Sequence, residues 1–200
     1  MKSLYKRLLV WVMHTRAYAY LLKNVIPYIR FTTYYTSLRG KTYHRLYKEL
    51  KPGDVILSLD KHKLTTLLIP GQFSHASMCV SLDGEWEVSE MTHTDYTKST
   101  FFDICKESDR IVILRCIDCT DEQKESAIKK CKSFVGAEYD VEFDLGVRAL
   151  YCSELIYQSY ENNLLAANLD DLVGLNRPYI SPTGLYKAKN LVPVIDSDDH

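Results

Sequence analysis

The sequence predicts an α+β fold in which a small, mostly antiparallel sheet packs on helices, with an extra helical arm in front. Three observations support this. Short apolar runs separated by turn residues fill positions 52–117, which is typical of strands. Segments of helical periodicity begin near residues 120 and 152. A basic, aromatic segment occupies residues 1–51, and Pro52-Gly53 breaks the chain after it. We therefore predict an arm at 1–51 and a second unit at 52–200.

Composition is that of an ordinary globular protein. The 200 residues are 46% hydrophobic and 26% charged, which suits one domain with an appendage and excludes fibrous or disordered classes. The net charge of −1 hides an uneven distribution. Residues 1–51 contain eleven Lys and Arg against one acid, so this segment carries +10 and the remainder about −11. Such asymmetry indicates an interaction surface.

The start of the arm, from Ser3 to Pro27, is predicted to be an amphipathic helix. Its apolar face comprises Leu4, Leu8, Trp11, Tyr18, Leu22 and Val25. Charges interrupt the apolar run well before the ~20 residues that a membrane span needs. A secretory signal stays open, because Lys6-Arg7, six apolar residues and Ala17-Tyr18-Ala19 imitate its three regions. We expect the protein in the cytoplasm, either free or associated with a membrane.

The rest of the arm, residues 28–51, alternates tyrosines with lysines and arginines. Three interpretations compete for the whole arm. The first is a helical arm packed on the domain with a solvated basic face. The second is contact between residues 1–51 and an anionic membrane surface, since aromatic rings suit the interface and cations suit the headgroups. The third and least favoured interpretation is nucleic-acid binding, because no recognisable nucleic-acid-binding motif accompanies the basic residues.

Strand and helix signals follow in order. Apolar runs at 55–57, 64–69, 75–81 and 111–117 are interpreted as strands, and Asp83-Gly84 predicts a hairpin into an alternating strand at 85–91. In that hairpin residue i lies opposite residue 167 − i. Ser99 or Thr100 is predicted to cap a short helix through Cys105. Thr120 and Gln123 form a capping box for a helix ending at Gly136.

The cysteines are scattered along the chain: Cys79, Cys105, Cys116, Cys119, Cys131 and Cys152. Their spacing favours reduced thiols over a disulfide framework. Cys116 and Cys119 have the spacing of half a zinc site or a redox pair, but no second pair supports it. We interpret them as packing at a strand end, and we expect neither a metal site nor a cofactor.

One cysteine stands where a thiol becomes reactive. A helical pattern begins at Cys152 and places its thiol in the first turn, where unpaired N–H groups and the helix dipole favour an anion. The thiolate is the nucleophilic form. The position of Cys152 alone does not show whether it is a nucleophile or a small buried hydrophobic residue, which is the role of most free cysteines.

A cysteine nucleophile needs a base and a group that orients the base. His75 begins an apolar strand and Glu90 ends the next one, and the hairpin register brings them diagonally together. His75 or Glu90 alone would also fit a structural role. The hypothesis is that the fold brings both side chains next to the thiol of Cys152.

Five short motifs carry a resemblance: Gly53-Asp54-Val55-Ile56-Leu57, Ser74-His75-Ala76-Ser77-Met78, Val88-Ser89-Glu90, residues 136–143 and Tyr151-Cys152-Ser153-Glu154-Leu155. In this order the chain resembles the circularly permuted papain-like proteins of the NlpC/P60 superfamily, in the YiiX/YebB-like branch. The resemblance covers about residues 51–160 and finds no counterpart for the arm. It implies a permuted papain-like fold with Cys152 as nucleophile, His75 as base and Glu90 as orienting residue. Tyr151 and Ser74 would flank the substrate.

The resemblance implies a thiol hydrolase or acyltransferase acting on an amide or ester bond of a small-molecule, peptide or lipid substrate. The basic, aromatic arm favours an acyl-lipid or membrane-proximal substrate. A peptidoglycan stem-peptide endopeptidase is the alternative within the enzyme class. A non-catalytic ligand-binding module on the same fold is the alternative outside it.

Overall fold

An antiparallel sheet forms the centre of the protein. The structure, a computed structural model, describes residues 7, 10–31, 38–69, 71–146, 148–161, 164–171 and 177–199. Its strands are β1 (Val55–Leu59), β2 (His75–Asp83), β3 (Glu85–Met91), β4 (Tyr96–Thr100), β5 (Arg110–Cys116), β6 (Glu138–Tyr139), β7 (Ala149–Leu150), β8 (Asp170–Asp171), β9 (Pro178–Tyr179) and β10 (Leu191–Asp196). The main sheet has the order β10-β5-β1-β2-β3-β4 with antiparallel neighbours. β6 pairs with β7 in parallel, and β8 pairs with β9.

Helices surround the sheet and begin at recognisable signals. They are α1 (Arg16–Asn24), a 3₁₀ turn (Ile26–Tyr28), α2 (Lys41–Glu49), α3 (Leu64–Leu68), α4 (Phe101–Lys106), α5 (Asp121–Ser133), α6 (Cys152–Ser159) and α7 (Pro182–Tyr186). Thr100 caps α4, and Thr120 caps α5 through the predicted box with Gln123. These caps satisfy N–H groups that would otherwise lack partners. The α+β class with an antiparallel sheet is confirmed.

The sheet separates two apolar cores. Alternate strand residues point to opposite faces, so Leu57 joins the core that contains Leu155 and Ile156 of α6, while Ile56 joins the other. That second core also holds Leu46 of α2 and the following Leu50. The end of the basic segment is thus packed against the sheet, and α6 is fixed on the opposite face.

The arm differs from the single helix that was predicted for residues 3–27. The chain turns at His14-Thr15 and α1 then starts, because the Thr15 hydroxyl accepts the N–H of Tyr18 at 3.2 Å and donates to the carbonyl of Val12 at 2.7 Å. Trp11, which was placed on the apolar face, is 66% exposed. Leu4 and Leu8 lie outside the described residues.

The apolar run at 64–69, interpreted as a strand, forms the short helix α3 instead. The Thr66 hydroxyl donates to the carbonyl of Asp60 at 2.5 Å and closes this turn. A short apolar run carries no periodicity that separates a strand from a helix. The connection between two antiparallel neighbours, β1 and β2, decided the outcome here.

The hairpin register near the site agrees with the prediction. Ser77 lies opposite Glu90 and Cys79 opposite Val88, as the 167 − i relation requires. An irregularity between Cys79 and Ser81 then shifts the pairing toward the turn at Gly84. Because His75 is two residues before Ser77, its side chain lies on the same face as that of Glu90.

The expectation of reduced thiols is wrong for one pair. Cys116 and Cys119 are joined by a disulfide at the end of β5. Their spacing of three residues and the turn after the strand bring the two Cα atoms to 5.5 Å, within the range that a disulfide spans. The other four cysteines carry thiols and are buried.

Candidate active site

The nucleophile candidate lies where strand β7 passes into α6. Tyr151 adopts an extended conformation at the helix N-cap, and its side chain makes no capping hydrogen bond. Cys152 therefore occupies the first position of a helix whose N–H groups are not capped by a side chain, and it is 4% exposed. Leu155 and Ile156, both fully buried, hold this helix against the sheet.

The imidazole of His75 stands between two partners. His75 is the first residue of β2, where the strand pairs with Ser58 of β1. Its Nε2 lies 2.6 Å from Oε2 of Glu90, and the ring interacts with the thiol of Cys152 closely enough that each shifts the pKa of the other. The side chain keeps 26% of its surface exposed, so a substrate can approach the ring.

Glu90 is held from its other side by β4. Its Oε1 accepts the hydroxyl of Ser99, while the residue as a whole is 8% exposed. Burial alone would raise the pKa of Glu90, but the hydrogen bond and charge of His75 lower it below its usual value. The carboxylate therefore favours the ionised form while it is hydrogen-bonded to the ring.

The electrostatics favour a thiolate–imidazolium pair. Burial opposes charge on Cys152, yet the hydrogen bond and charge of His75 and the N–H groups of Ala76 and Ser153 lower the pKa of the thiol. Burial likewise lowers the pKa of His75, but its bonds to Cys152 and Glu90 outweigh this and raise that pKa to about 10. A charged pair of this kind supplies both a nucleophile and a proton donor.

The two predicted substrate-flanking residues differ in placement. Ser74 is half-buried, and its N–H donates to the carbonyl of Ser58 at 3.0 Å, next to the start of β2. Tyr151 is only 1% exposed, and its hydroxyl accepts the N–H of Ile180 at 2.8 Å. The Tyr151 ring is therefore buried and tied to Ile180, and its predicted place beside the substrate stays a prediction.

Two neighbours of the site were missed in the sequence. Ser99 was considered only as a helix cap, although the β3–β4 register carries its hydroxyl to Glu90. Tyr139 lay in a motif that looked structural. Burial and then the nearby charges of Cys152 and Asp140 raise the pKa of its hydroxyl, which stays protonated beside the sulfur. Its ring packs edge-on against Phe143, which in turn contacts Tyr151.

Among the residues that the structure describes, no group of three or more His, Cys, Asp or Glu side chains is arranged to hold a metal ion. In the same part of the chain, no helix has the length and apolar character needed to cross a bilayer.

This fold and its chain order define a class. An antiparallel sheet packed on a helix that begins with a cysteine, with that helix C-terminal to the strands that carry His75 and Glu90, is the arrangement of permuted papain-like proteins. The family model of the permuted papain-like amidases of the YaeF/YiiX type, Peptidase C92, matches residues 49–173. The chain belongs to this family of cysteine hydrolases of amide bonds.

A solved structure agrees on the fold. The crystal structure of YiiX from Escherichia coli O157:H7, which is described as a metalloprotein, superposes on this protein with a TM-score of 0.64. The superposed region covers 74% of this chain and 97% of the YiiX chain. Its sequence identity is 18%, so the similarity concerns the fold alone. A search of curated proteins gives no match.

Proposed function

We propose that this protein cleaves an amide or ester bond with Cys152 as nucleophile, His75 as acid and base, and Glu90 as the orienting carboxylate. The observation that carries the proposal is the arrangement of the His75 ring, which is hydrogen-bonded to Glu90 on one side and influenced by the Cys152 thiol on the other, while Ser99 holds the far oxygen of Glu90. Three groups in this order provide what nucleophilic acyl transfer needs.

In the first half of the reaction, the Cys152 thiolate attacks the carbonyl carbon. The negative charge that develops on the carbonyl oxygen is stabilised by the backbone N–H of Cys152 at the start of α6. The imidazolium of His75 then gives its proton to the leaving amine or alcohol as the bond to carbon breaks. A thioester on Cys152 remains.

In the second half, neutral His75 takes a proton from water as the water oxygen attacks the thioester. The carboxylic acid departs, Cys152 leaves as a thiolate, and the imidazolium is restored, so no redox partner is needed. A different hydroxyl or amine in place of water would make the same site an acyltransferase. Glu90 keeps the ring oriented in both halves.

We favour an acyl-lipid or membrane-proximal substrate over a peptidoglycan stem peptide. The reason is the basic, aromatic segment at residues 1–51, which suits an anionic membrane surface and has no evident use with a soluble peptide. The aromatic ring of Tyr139, which the charge of Cys152 influences, and the Phe143 ring packed on it would suit an acyl chain.

The test is turnover with a trapped intermediate. The purified protein is incubated with N-acyl amides and acyl esters of graded chain length, and the released acid is measured together with the intact mass of the protein. We expect acid release and an acyl adduct on Cys152 with long-chain substrates, and neither with Cys152→Ala. A protein that binds these acyl compounds without adduct or release would be a ligand-binding module and would overturn the proposal.

A further inference from the structure

The arm exposes an unusual amount of apolar surface. Of the twelve large hydrophobic side chains that are exposed in the described part of the chain, six lie between residues 11 and 31. Five of them follow one another closely on α1 and the turn after it, and we call them the outer face of the arm: Tyr20, Leu21, Tyr28, Ile29 and Phe31. Clustered exposed apolar residues of this kind mark interaction sites.

The outer face is exposed because the arm already uses its other side. In α1, Tyr18 and Leu22 are half-buried, and Tyr18 packs against the main core. Tyr20 and Leu21 are 63% and 45% exposed. Beyond the 3₁₀ turn, Phe31 donates its N–H to the carbonyl of His62 at 2.9 Å. The arm is therefore attached by its inner side. On the outer face, the Tyr28 ring contacts His93 at its edge, and the five side chains stay 40% to 68% exposed.

The arm borders the same end of the sheet as the triad. Lys23 reaches Glu138 at 3.7 Å, and Glu138 adjoins Tyr139 beside the sulfur. The hydroxyl of Tyr28 lies 3.1 Å from Nε2 of His93, which follows the strand that carries Glu90. A surface that binds the outer face would consequently come to the rim of the candidate active site.

The charge of the arm indicates the chemistry of this surface. Between residues 7 and 31 the sequence contains no Asp or Glu and four Lys or Arg. Lys23 and Arg30 pair with acids of the domain, whereas Arg7 and Arg16 form no ion pair with any described residue. Exposed rings with cations beside them match the interface of an anionic bilayer, where rings lie at headgroup level and cations attract anionic lipids.

We propose that the outer face of the arm docks on an anionic lipid bilayer and holds the cleft of Cys152 and His75 at the membrane surface. The reason for docking rests on the proposed function, since an acyl-lipid substrate would lie in the membrane. The binding itself depends only on the arm.

Vesicle sedimentation tests the docking. The full chain is mixed at low salt with vesicles of phosphatidylcholine, with and without phosphatidylserine. We expect binding to the anionic vesicles, and a roughly tenfold loss in Tyr20→Ser/Leu21→Ser, because two partly inserted apolar groups are removed. The matched control is Ile117→Ser/Val135→Ser, which removes side chains that are 59% and 62% exposed in the loops after β5 and α5 and should bind like the parent.

Charge is tested separately. Arg7→Gln/Arg16→Gln should weaken binding to anionic vesicles, and added salt should remove this difference. Binding that ignores phosphatidylserine, or that falls equally in the control pair, would overturn the proposal. Concentration-dependent dimers that disappear in Tyr20→Ser/Leu21→Ser, without vesicle binding, would assign the face to a second copy of the chain.

The two proposals fail in different ways. We expect Tyr20→Ser/Leu21→Ser to hydrolyse a water-soluble amide at the parent rate. The same variant should no longer hydrolyse a substrate carried by vesicles. If the parent hydrolyses the soluble amide but binds no vesicle, the docking proposal is wrong and the proposed function stands. If it binds vesicles but hydrolyses neither substrate, the proposed function fails.

Discussion

Cys152 and Cys131 are both buried thiols on neighbouring helices, and their environments act on them in opposite directions. Burial raises the pKa of Cys131 to about 11, and the neighbouring hydroxyls of Ser159 and Ser89 lower it only in part. Burial also opposes charge on Cys152, but there the pKa is lowered by the hydrogen bond and charge of His75. Neutral donors do not overcome desolvation in this protein, whereas an adjacent imidazolium does.

The other two thiols agree with this comparison. Burial raises the pKa of Cys79 and that of Cys105, the latter to about 12. Four buried thiols thus share a desolvation cost, and one has a partner that reverses it. Reactivity at Cys152 should therefore depend on His75 and Glu90 more than on the position of the thiol at a helix start.

Removal of the thiol should give the largest effect. We expect Cys152→Ala to lower kcat/KM for amide hydrolysis about a thousandfold or more, because the acyl-enzyme can no longer form. Cys131→Ala, the matched change, should keep kcat/KM within a few-fold and cost about 1 kcal/mol of stability for the small cavity. Equal activity of the two variants, measured by amine release, would remove the distinction between the thiols.

Removal of the His75 imidazolium should make the thiol of Cys152 as unreactive as that of Cys131. We expect His75→Ala to slow iodoacetamide labelling of Cys152 at pH 6 about a hundredfold or more, because a thiol of ordinary or raised pKa is almost fully protonated there. Labelling is followed by intact mass and peptide mapping. His93→Ala is the control, since His93 lies near the same strand end but contacts Tyr28. Unchanged labelling in His75→Ala would mean that the helix start alone activates the sulfur.

The orienting carboxylate should give a smaller effect. We expect Glu90→Gln to lower kcat/KM about ten- to a hundredfold, because the ring loses its ionised partner. The alkaline limb of the pH–rate profile should also move to lower pH, since Glu90 helps raise the pKa of His75. Glu85→Gln, on the same strand but bonded to Tyr43, should leave both unchanged. A profile that does not move would show that Glu90 has a structural role only.

Local patterns predicted much of this site. The helix start at Cys152, the caps at Thr100 and Thr120, and the register that pairs Ser77 with Glu90 depend on neighbours in sequence or on a tight turn. Such interactions leave a readable pattern. The proximity of His75 and Glu90 followed from the hairpin, but that of Cys152 required the resemblance, because 77 residues separate it from His75.

Other features depended on contacts that no short window contains. Tyr139 lies near enough to Cys152 for its charge to raise the Tyr139 pKa, because β6 pairs in parallel with β7, which ends two residues before Cys152. The helical form of residues 64–68 likewise involves a distant segment, because the N–H of Leu64 donates to the carbonyl of Ile29 in the arm at 3.1 Å. Their sequences fit more than one conformation, and tertiary contacts selected one.

Glu154 extends the comparison to a buried acid without a cation, and its titration should change stability and not the chemical step. It is fully buried two residues after Cys152, and its Oε1 accepts the N–H of Gly146 at 2.6 Å. Burial outweighs this bond and a longer one from Gln158 and raises the pKa of Glu154 to about 7. Its Oε2 has no hydrogen-bond partner among the described residues.

The raised pKa fixes the direction of a stability change. Between the ordinary value near 4.5 and about 7, the folded protein binds a proton that the unfolded chain does not. The contribution of Glu154 to the free energy of unfolding therefore falls as pH rises through this window, by roughly 3 kcal/mol at most. Glu154→Gln removes the titration and keeps an acceptor for Gly146, so its stability relative to the parent should increase from pH 5 to pH 8.

Urea unfolding at pH 5, 6, 7 and 8 measures this difference directly. Glu125→Gln, an exposed glutamate on α5, is the control and should follow the parent curve at every pH. Other titrating groups cancel, because the comparison is between variant and parent at the same pH. A constant offset between Glu154→Gln and the parent would mean that the carboxyl does not titrate in this window. Burial without a cation would then not govern its pKa, and the explanation given for Cys131 would be weakened with it.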